Sequence, residues 1–255
     1  MNLYQKKKSL PLDDVRTTLY HREIIQQNPF LKAIYSSWYN GFKQHLDSVP
    51  PGPALEVGSG GGFCKEIIPE IITSDIQKLP DVDVHCKAES IPMQAESLSA
   101  IFMVNVLHHV PDASLFFQEA QRVLKPHGII YMIEPARTLA SSILYRFLHH
   151  EPYVPNAQTW AITGEGPLSG ANIALPWIIF RRDIKKFRAQ FPDLLLEQFS
   201  FHTPFRYLLS GGVSRPSFVP HSWYPLICFL ETLNTPFVRC NAMFNTIVVR
   251  KNMAA

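Results

Sequence analysis

Cysteine is scarce in this 255-residue chain and poorly placed for chemistry. Cys64, Cys86, Cys228 and Cys240 form no C-x-x-C pair and have no histidine at metal-ligand spacing. A structural zinc and a disulfide framework are therefore set aside, no metal site is expected, and the thiols read as small apolar side chains. No uninterrupted apolar run reaches the length of a membrane span, and residues 1–14 turn polar at once instead of forming a basic and then apolar leader. A soluble, cytoplasmic protein is the expectation. Internal repeats and low-complexity segments are lacking as well. Net charge is small, +3, but uneven: residues 1–135 hold 12 Lys and Arg against 15 Asp and Glu, and residues 136–255 hold 12 against 6. The basic second half suits an anionic partner or surface as well as it suits an ordinary solvated exterior.

With 46% apolar residues, the chain can bury one substantial core. The first twenty residues read as loosely ordered. Asn28 followed by Pro29 then marks a helix start, and Phe30, Ile34, Trp38, Phe42 and Leu46 recur at i, i+4 spacing. Short β-rich runs at 54–57, 70–75, 82–86, 100–105 and 128–133 alternate with helical stretches at 61–68 and 113–124. That alternation predicts right-handed βαβ units and a parallel sheet covered on both faces. Gly128, at the helix stop before the fifth strand, is expected to take positive φ.

Beyond Pro135 the rhythm breaks. A helix over 137–149 and a long loop precede a basic amphipathic helix with Phe180, Ile184, Phe187 and Phe191 facing inward. A strand over 193–201, an aromatic-rich insertion and a last strand over 243–251 follow. Residues 223–233 of the insertion are apolar almost all round, broken only by Glu231. Core burial is the default for such a helix; the wall of an apolar pocket or a membrane-facing patch is the other outcome. Long segments inside a compact domain usually carry function, so acceptor recognition is expected here.

The stretch from Leu55 to Phe63 reads LEVGSGGGF. A dinucleotide fingerprint needs a third glycine where Phe63 stands, and a phosphate-cradling P-loop counted from Gly58 needs glycine and lysine where Phe63 and Cys64 stand. What remains is E-x-G-x-G-x-G: Glu56, Gly58, Gly60, Gly62. Together with IITSDIQ, CKAESIP, VNVLHHVPD and RVLKPHGIIYMIEP in order, this loop resembles that of the class I S-adenosylmethionine-dependent methyltransferases, over residues 50–135.

The resemblance implies a doubly wound, seven-stranded, mainly parallel α/β sheet of the Rossmann-like methyltransferase type, with helical and loop insertions for the substrate. It divides the chain into an N-terminal lid helix region (1–49), a cofactor-binding half (50–135), and substrate elements with the last two strands (136–255). S-adenosylmethionine is the implied cofactor. Gly58, Ser59, Gly60 and Gly62 would approach it through backbone, with Glu56 at its ammonium group and Asp75 at the ribose hydroxyls. Ile76 would pack on the adenine, the Ala88–Glu89 backbone would bind its edge, and Asn105 and Val106 would face the methionyl part. Where many relatives carry Asp-Ala-Glu, this chain has Lys87-Ala88-Glu89, exchanging an acceptor for a donor-only ammonium.

Methyl transfer from a sulfonium needs alignment, exclusion of water and, for some acceptors, a base. His108 and His109, just past the fourth strand, are candidates; His150 with Glu151 is a second pair, and His202 a weaker one. A small-molecule or lipid-linked acceptor methylated at oxygen is the expectation, with possible peripheral membrane contact. Nucleic acid is not expected as a substrate, since Asn105 is not followed by the Pro-Pro-aromatic run that holds a flipped base. The rival readings are a nicotinamide-dependent oxidoreductase and a non-catalytic binding protein on the same fold.

Overall fold

The computed structural model describes residues 3–253 apart from Thr163 and Glu165. Seven strands, β1 (Ala54–Val57), β2 (Ile72–Asp75), β3 (Val84–His85), β4 (Leu98–Val104), β5 (Leu124–Pro135), β6 (Leu194–His202) and β7 (Phe244–Lys251), form one sheet in the order β3-β2-β1-β4-β5-β7-β6. β1 to β5 are parallel, and β7 runs antiparallel between β5 and β6. The expected mainly parallel, doubly wound α/β fold is therefore present. Chain direction across the sheet reverses between β1 and β4, which opens a crevice at the carboxyl ends of those strands.

Every residue of β1 is buried, and β4 is buried up to Met103, as parallel strands covered on both faces must be. On one face α4 (Ala113–Val123) brings Phe116 and Phe117 against Phe180, Phe187 and Phe191. On the other, α2 (Val15–Gln27) and α3 (Pro29–Leu46) pack Phe30, Ile34, Trp38 and Phe42 against Phe102, Ile129 and Tyr131. Asn28 caps α3 as expected, its Oδ1 accepting from the Leu31 N–H at 3.0 Å, with Pro29 at the first helical position.

Several local expectations are corrected. Residues 3–20, expected to be loosely ordered, are largely helical, residues 1 and 2 lying outside the described residues: α1 (Leu3–Lys8) precedes α2, whose N-terminus Asp14 caps through the Arg16 N–H at 2.8 Å. Asp13 accepts from the Leu168 and Ser169 N–H groups at 2.7 and 2.9 Å, a contact across 155 residues that sequence pattern does not reveal. The helix expected over 61–68 is one 3₁₀ turn, Cys64–Glu66; glycines before it and Pro69 after it leave too little chain to propagate. Positive φ falls on His127 (67°), not on Gly128, whose added Cβ would lie 2.9 Å from the Ser99 carbonyl oxygen. Close packing, not backbone handedness, selects that glycine.

The C-terminal third contains α5 (Leu139–Phe147), then α6 (Leu175–Trp177) running through a π turn (Ile178–Arg182) toward α7 (Ile184–Gln190). The inward set Phe180, Phe187 and Phe191 is buried, and Ile184 is half-buried. Next come α8 (Arg206–Ser210), α9 (Tyr224–Leu233) and the short α10 (Val238–Asn241). Core burial does not hold for α9: Leu226, Phe229, Leu230 and Leu233 are 45–61% exposed, and only Ile227 and Glu231 are buried. Glu231 anchors the helix by accepting from Arg206 Nε at 2.5 Å and from the Phe205 and Arg206 N–H groups. Among the described residues no helix is long and apolar enough to cross a membrane.

Candidate active site

The crevice at the β1–β4 reversal is a cavity of about 790 Å³. Its floor is the loop after β1. Gly58 and Gly60 take φ of 70° and 41°, conformations costly for any residue with a Cβ. At Gly58 an added Cβ would also lie 2.5 Å from Val106 Cγ2, and at Gly62 it would strike the Tyr39 hydroxyl. Asp75, at the end of β2, accepts from the Gly60 N–H at 2.9 Å (Oδ2) and the Gln77 N–H at 2.8 Å (Oδ1). It thereby fixes the loop to the sheet, while its remaining lone pairs face the cavity. Burial raises the Asp75 pKa, against the pull of those two bonds. From α2, Arg22 Nη2 donates to the Gly60 carbonyl at 3.0 Å, closing the loop from above.

Glu56 is 3% exposed, and its Oε2 has no hydrogen-bond partner among the described residues. Burial, reinforced by the charge of Asp75, pushes its pKa to about 8 against the opposing Ser59 bond and Arg22 charge. A buried, unpaired carboxylate oxygen at a cavity wall is a place for a cationic donor. Ile76 offers a 39% exposed apolar shelf on the same side, next to Ala88 and Glu89. Asn105 takes positive φ (56°), and its side chain hydrogen-bonds the buried Tyr35, whose phenol burial pushes up to about 12. These residues fit an amino-acid and nucleoside ligand without phosphate: an orphaned acid for an ammonium, a second acid for hydroxyls, and a glycine floor.

Past Asn105 the chain turns through Leu107–His109. Glu134, fully buried near the end of β5, holds this turn: Oε1 accepts the Val106 and Leu107 N–H groups at 2.9 and 2.7 Å, and Oε2 lies 2.6 Å from His108 Nδ1. Glu151 reaches the same place from the loop after α5, 3.4 Å from His108 Nε2, 3.8 Å from His109 Nε2 and 3.6 Å from His150 Nε2. Burial opposes charge on His108, but the Glu134 and Glu151 carboxylates outweigh it and hold the imidazole pKa at about 10. His109 is lowered to about 4 by burial, with the His108 charge adding. Its Nδ1 lies 2.9 Å from the Gly170 carbonyl, which can only accept, so Nε2 keeps its lone pair. Burial works against ionising Glu151, yet the His108 hydrogen bond and the histidine charges bring its pKa to about 2.

Fifteen of the sixteen residues singled out in the sequence as cofactor-binding or chemical line this one cavity, including Ser59, Val106 and His150. His202 does not; it is half-buried between Thr203 and Thr246 at the end of β6. Glu134 and His21 were not legible as site residues. Glu134 follows an apolar strand as the first half of a Glu-Pro pair, the one local signal it offers, and His21 reaches the cavity from α2.

Residues 55–132 match the family model described as a methyltransferase domain. The matched stretch holds the glycine loop and the strands that carry it, and the whole seven-stranded sheet has the methyltransferase fold. Both findings favour S-adenosylmethionine-dependent methyl transfer over the nicotinamide reading. Among solved structures, a Bacillus halodurans protein designated a methyltransferase superposes with a TM-score of 0.51 at 16% identity, covering 84% of this chain and 99% of that one. Phosphoethanolamine N-methyltransferase 2 of Haemonchus contortus, in complex with S-adenosyl-L-methionine, gives 0.50 at 14% identity, covering 98% of this chain and 60% of that one. At such identities the likeness carries the methyltransferase fold and not the acceptor. No curated relative matches the sequence significantly.

Proposed function

We propose that this methyltransferase moves the methyl group of S-adenosylmethionine onto an oxygen of a lipid-like acceptor at a membrane surface. The observation that carries the reading is the continuity of the cavity. It runs from the glycine loop, past His109 and Glu151, to a mouth edged by Leu148, Leu208 and Phe218, which are 81%, 38% and 63% exposed. Beside that mouth, α5 exposes Leu139, Ile143 and Phe147 and packs against α10, which follows the exposed apolar face of α9. Arg146, Arg215 and Arg239 are exposed on these same segments and supply the charge that an anionic bilayer attracts.

Glu56 faces the cofactor ammonium, directly or through water, and Asp75 the ribose hydroxyls. Ile76 carries the adenine, the Ala88–Glu89 backbone binds its edge, and Asn105 faces the methionyl chain. The acceptor oxygen attacks the methyl carbon in line as the carbon–sulfur bond breaks, leaving S-adenosylhomocysteine. The acceptor's proton passes to His150, which lies at the cavity wall beside Glu151. Proximity and alignment supply most of the acceleration. Incubation with methyl-labelled S-adenosylmethionine and a total lipid extract tests the reading. Label is expected in the organic phase. Label confined to water-soluble products overturns the lipid acceptor, and calorimetric heat with NAD but none with S-adenosylmethionine overturns the methyl-transfer reading itself.

A further inference from the structure

We infer that His108, His109 and Glu151 form a binding site for a first-row divalent transition-metal ion, open to the cavity on one side. Sequence spacing alone does not join the three as ligands, because Glu151 lies 42 residues beyond His109. In the fold, one ligand atom from each of the three lies within 4.8 Å of the others.

The spacing is that of ligands around an ion more than that of a hydrogen-bonded group. His108 Nε2 and His109 Nε2 stand 3.4 and 3.8 Å from the Glu151 oxygens, the second too far for a hydrogen bond. Tetrahedral metal bonds of about 2.1 Å put neighbouring ligand atoms about 3.4 Å apart. Both imidazoles are also held in the ligating orientation by their other nitrogen. His108 Nδ1 faces the Glu134 carboxylate at 2.6 Å, and His109 Nδ1 faces the Gly170 carbonyl at 2.9 Å. An acceptor on Nδ1 keeps a ring hydrogen there and turns Nε2 toward the site, where an ion displaces any proton that atom carries; this is the usual outer arrangement of metal-bound histidine. Glu134 is itself fixed by the Val106 and Leu107 N–H groups, so the support extends into the backbone of β5 and the following turn.

Two imidazoles and one carboxylate suit Zn²⁺, Mn²⁺, Fe²⁺ or Co²⁺; Mg²⁺ and Ca²⁺ prefer an all-oxygen set. All three residues line the cavity, so coordination positions remain for an oxygen of the acceptor. This role rests on the methyl-transfer reading. His108, His109 and Glu151 would hold the ion, which would supply Lewis-acid polarisation of an acceptor oxygen at the open side of the site. Binding of the ion stands independently of that role.

The test is titration of the chelator-stripped full chain with Zn²⁺ by calorimetry and with Co²⁺ by visible absorption. One equivalent is expected, weakened at least 100-fold in Glu151→Gln and in His109→Gln. Glu134→Gln should weaken it about 10- to 100-fold, as loss of an outer partner does. The surface control His221→Ala should bind as the wild type does. Near-UV circular dichroism checks that each variant is folded; if Glu134→Gln is not, the other two decide. Absence of stoichiometric binding, or equal binding in Glu151→Gln and the wild type, overturns the site. Metal binding without S-adenosylmethionine binding would leave the site standing and remove the methyl-transfer reading; the reverse would remove the site alone.

Discussion

Glu56→Gln tests the cofactor assignment through proton linkage. In the free protein the Glu56 pKa is about 8, so the carboxyl is mostly protonated at neutral pH. An ammonium placed beside its unpaired oxygen favours the carboxylate, so binding must first ionise the group. The ionised fraction is about one in a hundred at pH 6 and about one in ten at pH 7, and apparent affinity falls by that fraction. Wild-type affinity should therefore tighten about tenfold, about 1.4 kcal/mol, between pH 6 and pH 7. The ligand's own amino group, with a pKa of about 7.7–8.0, stays charged over that window. Glu56→Gln cannot ionise, so its affinity should be flat there.

Calorimetry with S-adenosylhomocysteine at both pH values, in two buffers of different ionisation enthalpy, reads the affinity and the released proton together. Equal wild-type affinities at pH 6 and 7, or the same slope in Glu56→Gln, would refute the ammonium contact. The linkage has a second consequence for the free protein. A carboxyl whose pKa rises from 4.5 to about 8 on folding binds its proton more tightly when folded, so stability through this group falls as pH rises from 4.5 to 8. Glu56→Gln should thus gain stability over the wild type toward pH 8 in urea unfolding, while losing cofactor affinity there.

Gly58→Ala combines positive φ with the 2.5 Å approach to Val106; it should cost about 1–3 kcal/mol in urea unfolding and weaken the cofactor by calorimetry. Arg206→Met strands the buried Glu231 and should cost about 3 kcal/mol by the same unfolding assay, most of it recovered by adding Glu231→Leu. Leu226→Ser with Phe229→Ser and Leu233→Ser should leave the thermal midpoint within a few degrees, since all three are exposed. Co-sedimentation with anionic vesicles should drop sharply in that variant; unchanged binding would remove the membrane face.

The features legible in the sequence share one property: each is encoded locally. Gly58, Gly60 and Gly62 sit in one turn, Asp75 closes one strand, and Asn28-Pro29 caps one helix, so short windows contain the physics. Glu134 and Asp13 escaped because their partners lie 26 and about 155 residues away, and a lone acid in a window carries no sign of them. The α9 helix failed differently. With apolar residues all round, its pattern points to no face, and only the buried Glu231–Arg206 pair decides which side turns inward. His127 shows the same limit at one residue: glycine next door drew the positive φ in prediction, while contact with Ser99 decided otherwise.

The position of β7 has a consequence for biosynthesis. It is the last of the seven strands to be made, yet it lies inside the sheet and is the neighbour of both β5 and β6. On the ribosome, β6 can find no sheet partner until residues 244–251 emerge, so the edges of β5 and β6 that β7 covers stay bare from residue 202 until then. Lys251 closes the structure, its ammonium donating to the Leu124 carbonyl at 2.8 Å, at the first residue of β5. A nonsense change just before residue 244 would thus release an open sheet, the kind of species that chaperones must hold or proteases remove.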